Sequence, residues 1–294
     1  LSYAQQWNLT IEHQFTTDFY VSTAYVGNKG TRMPSSSVPL NALNPSLLSS
    51  MGAQLFDTFA DDTPVNGVSA PYAGWAQQLS NVGCAPTVSQ ALLPYPQYCD
   101  QLRGLNENAG NSTYHSFQFK AEKRFSRGTF LLASYTISKL IGSSDNVNQP
   151  VGAGDWSGAH GVISPFERQR NKALAFDDVP QVLSVAFVYD LPFGNGRRWL
   201  SQKGVVNAIA GGWQLSGTFR ISSGIPFFFR NFDTCDIPGG FRVGCIPAII
   251  GDPWAQSKSN FDPNKPLFNS SAFEETGRLP GPDGIVGNAD DTFN

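Results

Sequence analysis

Six stretches of the chain place apolar and polar residues on alternate positions. That is the period of a strand with one dry and one wet face. In the first, Tyr3, Trp7, Leu9, Ile11 and Phe15 share one face, and Gln6, Asn8, Thr10, Glu12 and Gln14 share the other. A short Thr16-Thr17-Asp18 turn leads to the second, where Phe19, Val21, Thr23 and Tyr25 continue the apolar face opposite Ser22 and Ala24. The third sets His115, Phe117, Phe119, Ala121 and Phe125 against Ser116, Gln118, Lys120, Glu122 and Arg124. After Ser126-Arg127-Gly128, the fourth sets Leu131, Ala133, Tyr135 and Ile137 against Leu132, Ser134, Thr136 and Ser138. Leu183, Val185, Phe187, Tyr189 and Leu191 form the dry face of the fifth. Trp213, Leu215, Gly217, Phe219 and Ile221 form that of the sixth.

Alternation fits both a soluble sandwich and a membrane barrel, since each has one dry and one wet face. Three further features favour the barrel. Connections one and three are tight turns, whereas connections two and four run from Gly27 to Thr113 and from about Gly142 to Asp178. Short turns on one side and long loops on the other are the barrel pattern. Connection five, Pro192 to Gly212, departs from it. Aromatics gather at the short-turn ends (Phe15, Phe19, Phe125, Tyr189, Trp213), where barrels carry an aromatic girdle. The apolar faces carry almost no formal charge; Lys123 is the exception, placed near an end where its ammonium reaches the interface.

Composition agrees. Charged residues are 15% of the 294, against roughly 25% in an ordinary soluble domain. The 40% hydrophobic content argues against disorder. A net charge of −3 and a pI near 5.6 argue against nucleic acid as a partner. No apolar run approaches the ~18 residues of a spanning helix, so any crossing of a bilayer is made by strands. Outer-membrane lipid is then a direct partner.

The chain starts at Leu1 and stops at Asn294 in a Gly/Asp-rich stretch, and we read it as a piece of a longer protein. Residues 1–224 hold the strands with long extracellular loops at 27–113 and 142–178; residues 225–294 read as a further extracellular loop region. A short helix is predicted near Asn44–Phe59, with Asn44 as cap and Pro45 at the first helical position.

Catalysis finds little support. His13, His115 and His160 lie far apart, and no nucleophile elbow or phosphate-binding loop is present. Asp177 and Asp178 read as a solvated strand entry. No enzyme activity, catalytic residue or cofactor is expected. The cysteines fall into two local pairs, Cys84 with Cys99 and Cys235 with Cys245, in polar Pro/Gly-rich stretches. An even count in loops without zinc-ligand spacing predicts two disulfides in an oxidising compartment. Trp75, Tyr95, Tyr98, Trp156 and Trp254, with Phe227 to Phe229, are candidates to line a binding vestibule; loop packing explains them equally well. Asp283, Asp290 and Asp291 sit in a Gly-bent acidic loop with oxygen ligands suited to calcium, although the full EF-hand pattern is absent and a plain turn fits better.

Several strings resemble the barrel region of TonB-dependent outer-membrane receptors, in particular the Oar-like receptors that contain a carboxypeptidase-regulatory-like domain. They are Tyr3-Ala4-Gln5-Gln6-Trp7-Asn8-Leu9, Tyr25-Val26-Gly27-Asn28-Lys29-Gly30-Thr31, Pro71-Tyr72-Ala73-Gly74-Trp75 and Ala91-Leu92-Leu93-Pro94-Tyr95-Pro96-Gln97. Glu122-Lys123-Arg124-Phe125-Ser126, Ala133-Ser134-Tyr135-Thr136-Ile137-Ser138-Lys139, Asp190-Leu191-Pro192-Phe193-Gly194 and Gly211-Gly212-Trp213-Gln214-Leu215-Ser216-Gly217 follow in the family's order. The likeness ends near Phe232. It implies a plugged barrel of the 22-strand type, with an N-terminal plug, a TonB-contacting segment and final strands outside this chain. It places the protein in the outer membrane of a Gram-negative bacterium, importing a scarce or bulky nutrient.

The expected fold is therefore all-β: an antiparallel transmembrane β-barrel fragment of about six long meander strands. Six strands do not close a barrel, since the smallest have eight, so a curved open sheet is expected. The alternative is a soluble or surface-attached β-rich module contacting carbohydrate, whose apolar strand face would pack against a second sheet. A secreted hydrolase lacks the residues it needs.

Overall fold

The computed structural model describes residues 1–35, 38–99, 102–104, 107–126, 128–143, 166, 169, 172–175, 177–201, 204–226, 247–257, 260–274, 278–279, 281–283 and 292–293. In chain order the elements are β1 (Tyr3–Thr16), β2 (Phe19–Ser35), β3 (Val38–Pro39), α1 (Ser46–Met51), α2 (Trp75–Asn81), α3 (Val88–Ala91), β4 (Arg103–Gly104), β5 (Glu107–Ser126) and β6 (Thr129–Gly142). They continue with β7 (Ala173–Leu174), β8 (Gln181–Asp190), α4 (Val205–Ala210), β9 (Gln214–Ser222), β10 (Ala248–Ile249), β11 (Phe273–Glu274), β12 (Arg278–Leu279) and β13 (Thr292–Phe293). The chain divides into two units: residues 1–33, 110–142 and 173–226, and residues 34–109, 143–172 and 227–294.

The first unit is one antiparallel meander sheet in the order β1-β2-β5-β6-β8-β9, with β7 added on β6. Its long strands are the six read from the alternation, and the registers of β1–β2, β5–β6, β6–β8 and β8–β9 keep their dry faces together. Leu9 lies opposite Tyr25, Phe117 opposite Ile137, Leu131 opposite Phe187, and Val185 opposite Phe219. A slip of one residue would turn each apolar set to the wet side, so this agreement fixes the register. β1 and β9 lie at the ends of this order, so the sheet is open.

Two strands are longer than the alternation shows. β2 runs on to Ser35 and β5 begins at Glu107, so the strands take in both ends of the expected 27–113 loop. The added segments (Gly27-Asn28-Lys29-Gly30-Thr31-Arg32 and Asn111-Ser112-Thr113) are polar on both faces and carry no two-residue period. At 17 and 20 residues these strands exceed the 9–11 that a crossing needs. Connection five is not a bare loop: it holds α4, with Gly194 and Trp199 hydrogen-bonded across it.

The tight turns lock together by side chains. Lys123 Nζ lies 2.8 Å from Asp18 Oδ2 in the β1–β2 turn, Thr16 donates to the same carboxylate at 2.6 Å, and the Ser126 hydroxyl donates to it as well. Lys123, the charge on the dry face near the strand end, thus has a carboxylate partner at the short turn. Gly128, at φ 77°, makes the second turn where a side chain would also meet Asp190. The Lys123 hydrogen bond, followed by those of Ser126 and Thr16, holds the Asp18 carboxyl well below the usual carboxylate range. A lowered folded-state pKa adds stability that is complete above the unfolded value and disappears as pH falls below about 4. Asp18→Asn should therefore flatten the acid limb of a stability-versus-pH profile between neutrality and pH 3, while leaving the slope near neutrality unchanged.

One sequence reading is corrected here. Asp178 is buried, not solvated. Its Oδ1 accepts from Leu140 N at 2.7 Å, and Ser138 N donates to Pro180 O at 2.8 Å. The carboxylate substitutes for the ladder acceptor that is missing where β7 gives way to β8 along β6.

The second unit contains its own apolar core. Leu43, Leu55, Phe59, Trp75, Ala76, Leu79, Val88 and Leu93 are buried together, all from the long second connection. The predicted 44–59 helix is split into α1 and a 3₁₀ turn at Gly52–Phe56, and Asn44 Oδ1 accepts from Ser46 N at 3.1 Å. The pairs β3–β4, β10–β11 and β12–β13 complete the described parts of this unit.

Candidate functional site

The sheet offers two surfaces of opposite character, and each follows from strand geometry, since successive side chains point to opposite faces. On the dry face, Leu9 is 65% exposed, Phe117 50% and Phe219 46%, while Phe187 is half-buried. No residue of this face belongs to a buried core among the described residues. The second sheet that the alternative reading requires does not cover these strands among the described residues, and a soluble domain rarely leaves so large a contiguous apolar area uncovered.

That face is bounded by aromatics at both ends. At the short-turn end, Phe15 lies 5.8 Å from Phe19, and Phe125, Tyr189 and Trp213 continue the row exposed. Towards the long connections are Tyr3, Trp7 and Tyr25, a second row that the sequence reading did not single out. Trp7 lies flat over its cross-strand partner Gly27, where a Cβ would come within 2.2 Å of the indole. Only glycine admits that cover, a recurring device for protecting a bare strand position. From His115 to Phe125 the strand rises about 33 Å, or about 25 Å at a 40° tilt, the height of the apolar band in barrels.

The opposite face is wet. Lys120 Nζ donates to Tyr20 Oη at 2.7 Å and lies 3.2 Å from Glu122, which Arg124 approaches at 3.8 Å. Near the second short turn, Asp190 accepts from Arg197 at 3.2 Å and from Gln214 at 2.9 Å. Small residues on β6, β8 and β9 (Ser134, Ser184, Ala186, Thr218) leave a hollow of about 330 Å³ beside Arg220.

In the second unit the structure separates the vestibule candidates. Trp75 is 0% exposed; its ring meets Phe59 edge-on at 5.3 Å and its indole N–H donates to Pro96 O at 3.0 Å. It is the centre of the loop core and presents no surface to a ligand, so of the two readings given for it, loop packing is the one it follows. Tyr95 and Tyr98 are exposed on the segment that Trp75 anchors. Two buried side chains hold that segment: Asn41 Nδ2 donates to Tyr95 O at 3.0 Å and Gln90 Nε2 to Tyr98 O at 2.7 Å. Asn41 and Gln90, which no motif marks, are thus what fixes the two tyrosines. Trp254 is exposed and its ring lies 5.2 Å from that of Phe268. Trp156, Phe227 to Phe229, Asp290 and Asp291 lie outside the described residues, so only Asp283 of the acidic loop is seen.

Cys84 and Cys99 form a disulfide across a sequence separation of 15. Cys235 and Cys245 lie outside the described residues. A closed loop of that length removes about 3 kcal/mol of chain entropy from the unfolded state. Replacing both Cys84 and Cys99 with serine should destabilise the loop core by that order and leave the sheet intact. Proteolysis within 84–99 should accelerate, and heat-dependent gel mobility of the barrel should not change.

The model of the outer membrane beta barrel domain family matches residues 1–292. No curated protein and no solved structure matches the chain. The match spans nearly every residue, and the apolar face, its aromatic borders and the wet reverse face agree with the general pattern of outer-membrane barrels. The chain belongs to the outer membrane beta barrel domain family, and its sheet is part of a barrel wall in the outer membrane of a Gram-negative bacterium.

Proposed function

We propose that this wall belongs to a TonB-dependent receptor that imports a nutrient too bulky or scarce for open pores. The observation that carries the reading is the ordered series of strings from Tyr3 to Gly217 that resemble such receptors. The charged inner face supports it: Lys120, Glu122, Arg124 and Asp190 suit a lumen filled with water and a plug, with TonB acting on segments outside this chain. In this reading the outer loops bind the nutrient, plug displacement admits it, and the strands serve as a rigid wall. No covalent step and no cofactor is involved on this chain.

The test uses the full-length protein in its own cell. Uptake of the nutrient on which the protein confers growth should be lost when TonB is inactivated or the inner-membrane proton gradient is collapsed. Uptake that persists under both treatments would show a passive barrel and overturn the proposal.

A further inference from the structure

Over the paired positions of the sheet, every charged side chain on the dry face is basic. Lys29, Lys123 and Lys139 stand there with His13 and His115, and no aspartate or glutamate does. Lys123 is neutralised by Asp18 at the short-turn end, 2.8 Å away. At the other end the charges have no counter-ion among the described residues. Among the described residues Lys29 Nζ donates only to the neutral Thr113 hydroxyl, at 3.0 Å. Lys139 lies directly opposite His115 in the β5–β6 register, exposed and with no hydrogen-bonding or ionic partner among the described residues.

His115, between the two lysine-bearing strands, has an aromatic floor. Tyr25 Oη is 2.7 Å from His115 Nδ1, its ring stacks on the imidazole at 6.0 Å, and Trp7 lies 6.2 Å from the same ring. Lys29 and Lys139 stand on β2 and β6, with β5 between them, so the two ammonium-bearing strands are about 10 Å apart. The cluster sits at the upper edge of the apolar band, on the side of the long connections. That side faces out of the cell in such barrels. Directly beneath it are the acyl chains; directly above is the headgroup layer, which in this leaflet is a phosphorylated glycolipid.

We propose that Lys29, His115 and Lys139 form a lipid-facing seat for the phosphorylated headgroup of an outer-leaflet glycolipid, with Trp7 and Tyr25 against its first acyl and sugar carbons. Uncompensated lysines at a membrane surface are drawn to anionic headgroups, and the amphipathic rings match the boundary between tail and head. A freely diffusing phosphate would find the same cations but no use for the aromatic floor. The inference rests on the barrel family and not on nutrient import.

The full-length protein, extracted from its own outer membrane in mild detergent, tests it. Native mass spectrometry should detect a retained phosphorylated glycolipid. Retention should fall at least tenfold in Lys29→Gln/Lys139→Gln, recover in Lys29→Arg/Lys139→Arg, and stay unchanged in Lys123→Gln. Lys139→Gln alone, a change at an exposed group, covers the case in which the double variant does not fold; heat-dependent gel mobility reads the folded fraction. Added bisphosphorylated glycolipid should compete and its dephosphorylated form should not. Equal retention by the glutamine variants, equal competition by the dephosphorylated lipid, or displacement by inorganic phosphate at the same concentration would each overturn the proposal.

Discussion

Val185→Arg is expected to cost about 2–4 kcal/mol of barrel stability, a loss of roughly 30-fold to 1,000-fold in the folded-to-unfolded ratio. Val185 lies near the middle of β8, opposite Ala133 on one side and Phe219 on the other, on the face that meets hydrocarbon. A guanidinium there has neither water nor a carboxylate within its own face. Its neighbour Ala186 points the other way, into the open hollow on the wet face beside Thr218 and Arg220. Ala186→Arg should therefore change stability by no more than about 0.5 kcal/mol, as for other solvated surface changes. Urea titration of the full-length protein folded into lipid vesicles measures both. The same substitution one residue apart isolates the face, since strand propensity and side-chain size are common to the pair.

The second large effect lies in the loop core. Trp75→Ala should destabilise that core by about 3–5 kcal/mol, the range for deleting a large buried aromatic. Trp75 fills the space against Phe59 and supplies a donor to Pro96 O, so the variant loses both packing and a buried hydrogen bond. Tyr95→Ala, at an exposed ring of the same segment, should change stability by only a few tenths of a kcal/mol. Limited proteolysis of the second connection reports the difference. Rapid cleavage in Trp75→Ala with slow cleavage in Tyr95→Ala is the expected outcome, with barrel gel mobility equal in both.

The strands were legible wherever one side of them meets hydrocarbon. Phe117 to Phe125 and Leu183 to Tyr189 announce themselves because lipid on one face and water on the other force a period of two. The outer parts of β2 and β5 were not legible for the same reason reversed: Asn28 to Arg32 run past the apolar band and are polar on both faces, so no two-residue period sorts them. Asp178 looked solvated because its neighbours are polar; its role depends on the gap between β7 and β8, which is a tertiary fact. Trp75 was recognisable as important but not as buried. The core around it is assembled from helices of four to seven residues, too short for a helical period to mark an inner face. The Cys84–Cys99 pairing was readable because the two cysteines are local and isolated from other ligands. The same logic gave Lys123 an interfacial position, but its partner Asp18 comes from a different hairpin.

The central claim, that alternate residues of these strands face hydrocarbon and water, is tested most directly by placing spin labels singly along β8, from Leu183 to Tyr189, in the full-length protein in lipid bilayers. Relaxation by oxygen, which partitions into lipid, should be high at positions 183, 185, 187 and 189, and relaxation by a water-soluble nickel chelate should be high at 184, 186 and 188. Uniformly low access of both reagents at the odd positions would mean that protein covers them, and would contradict the account.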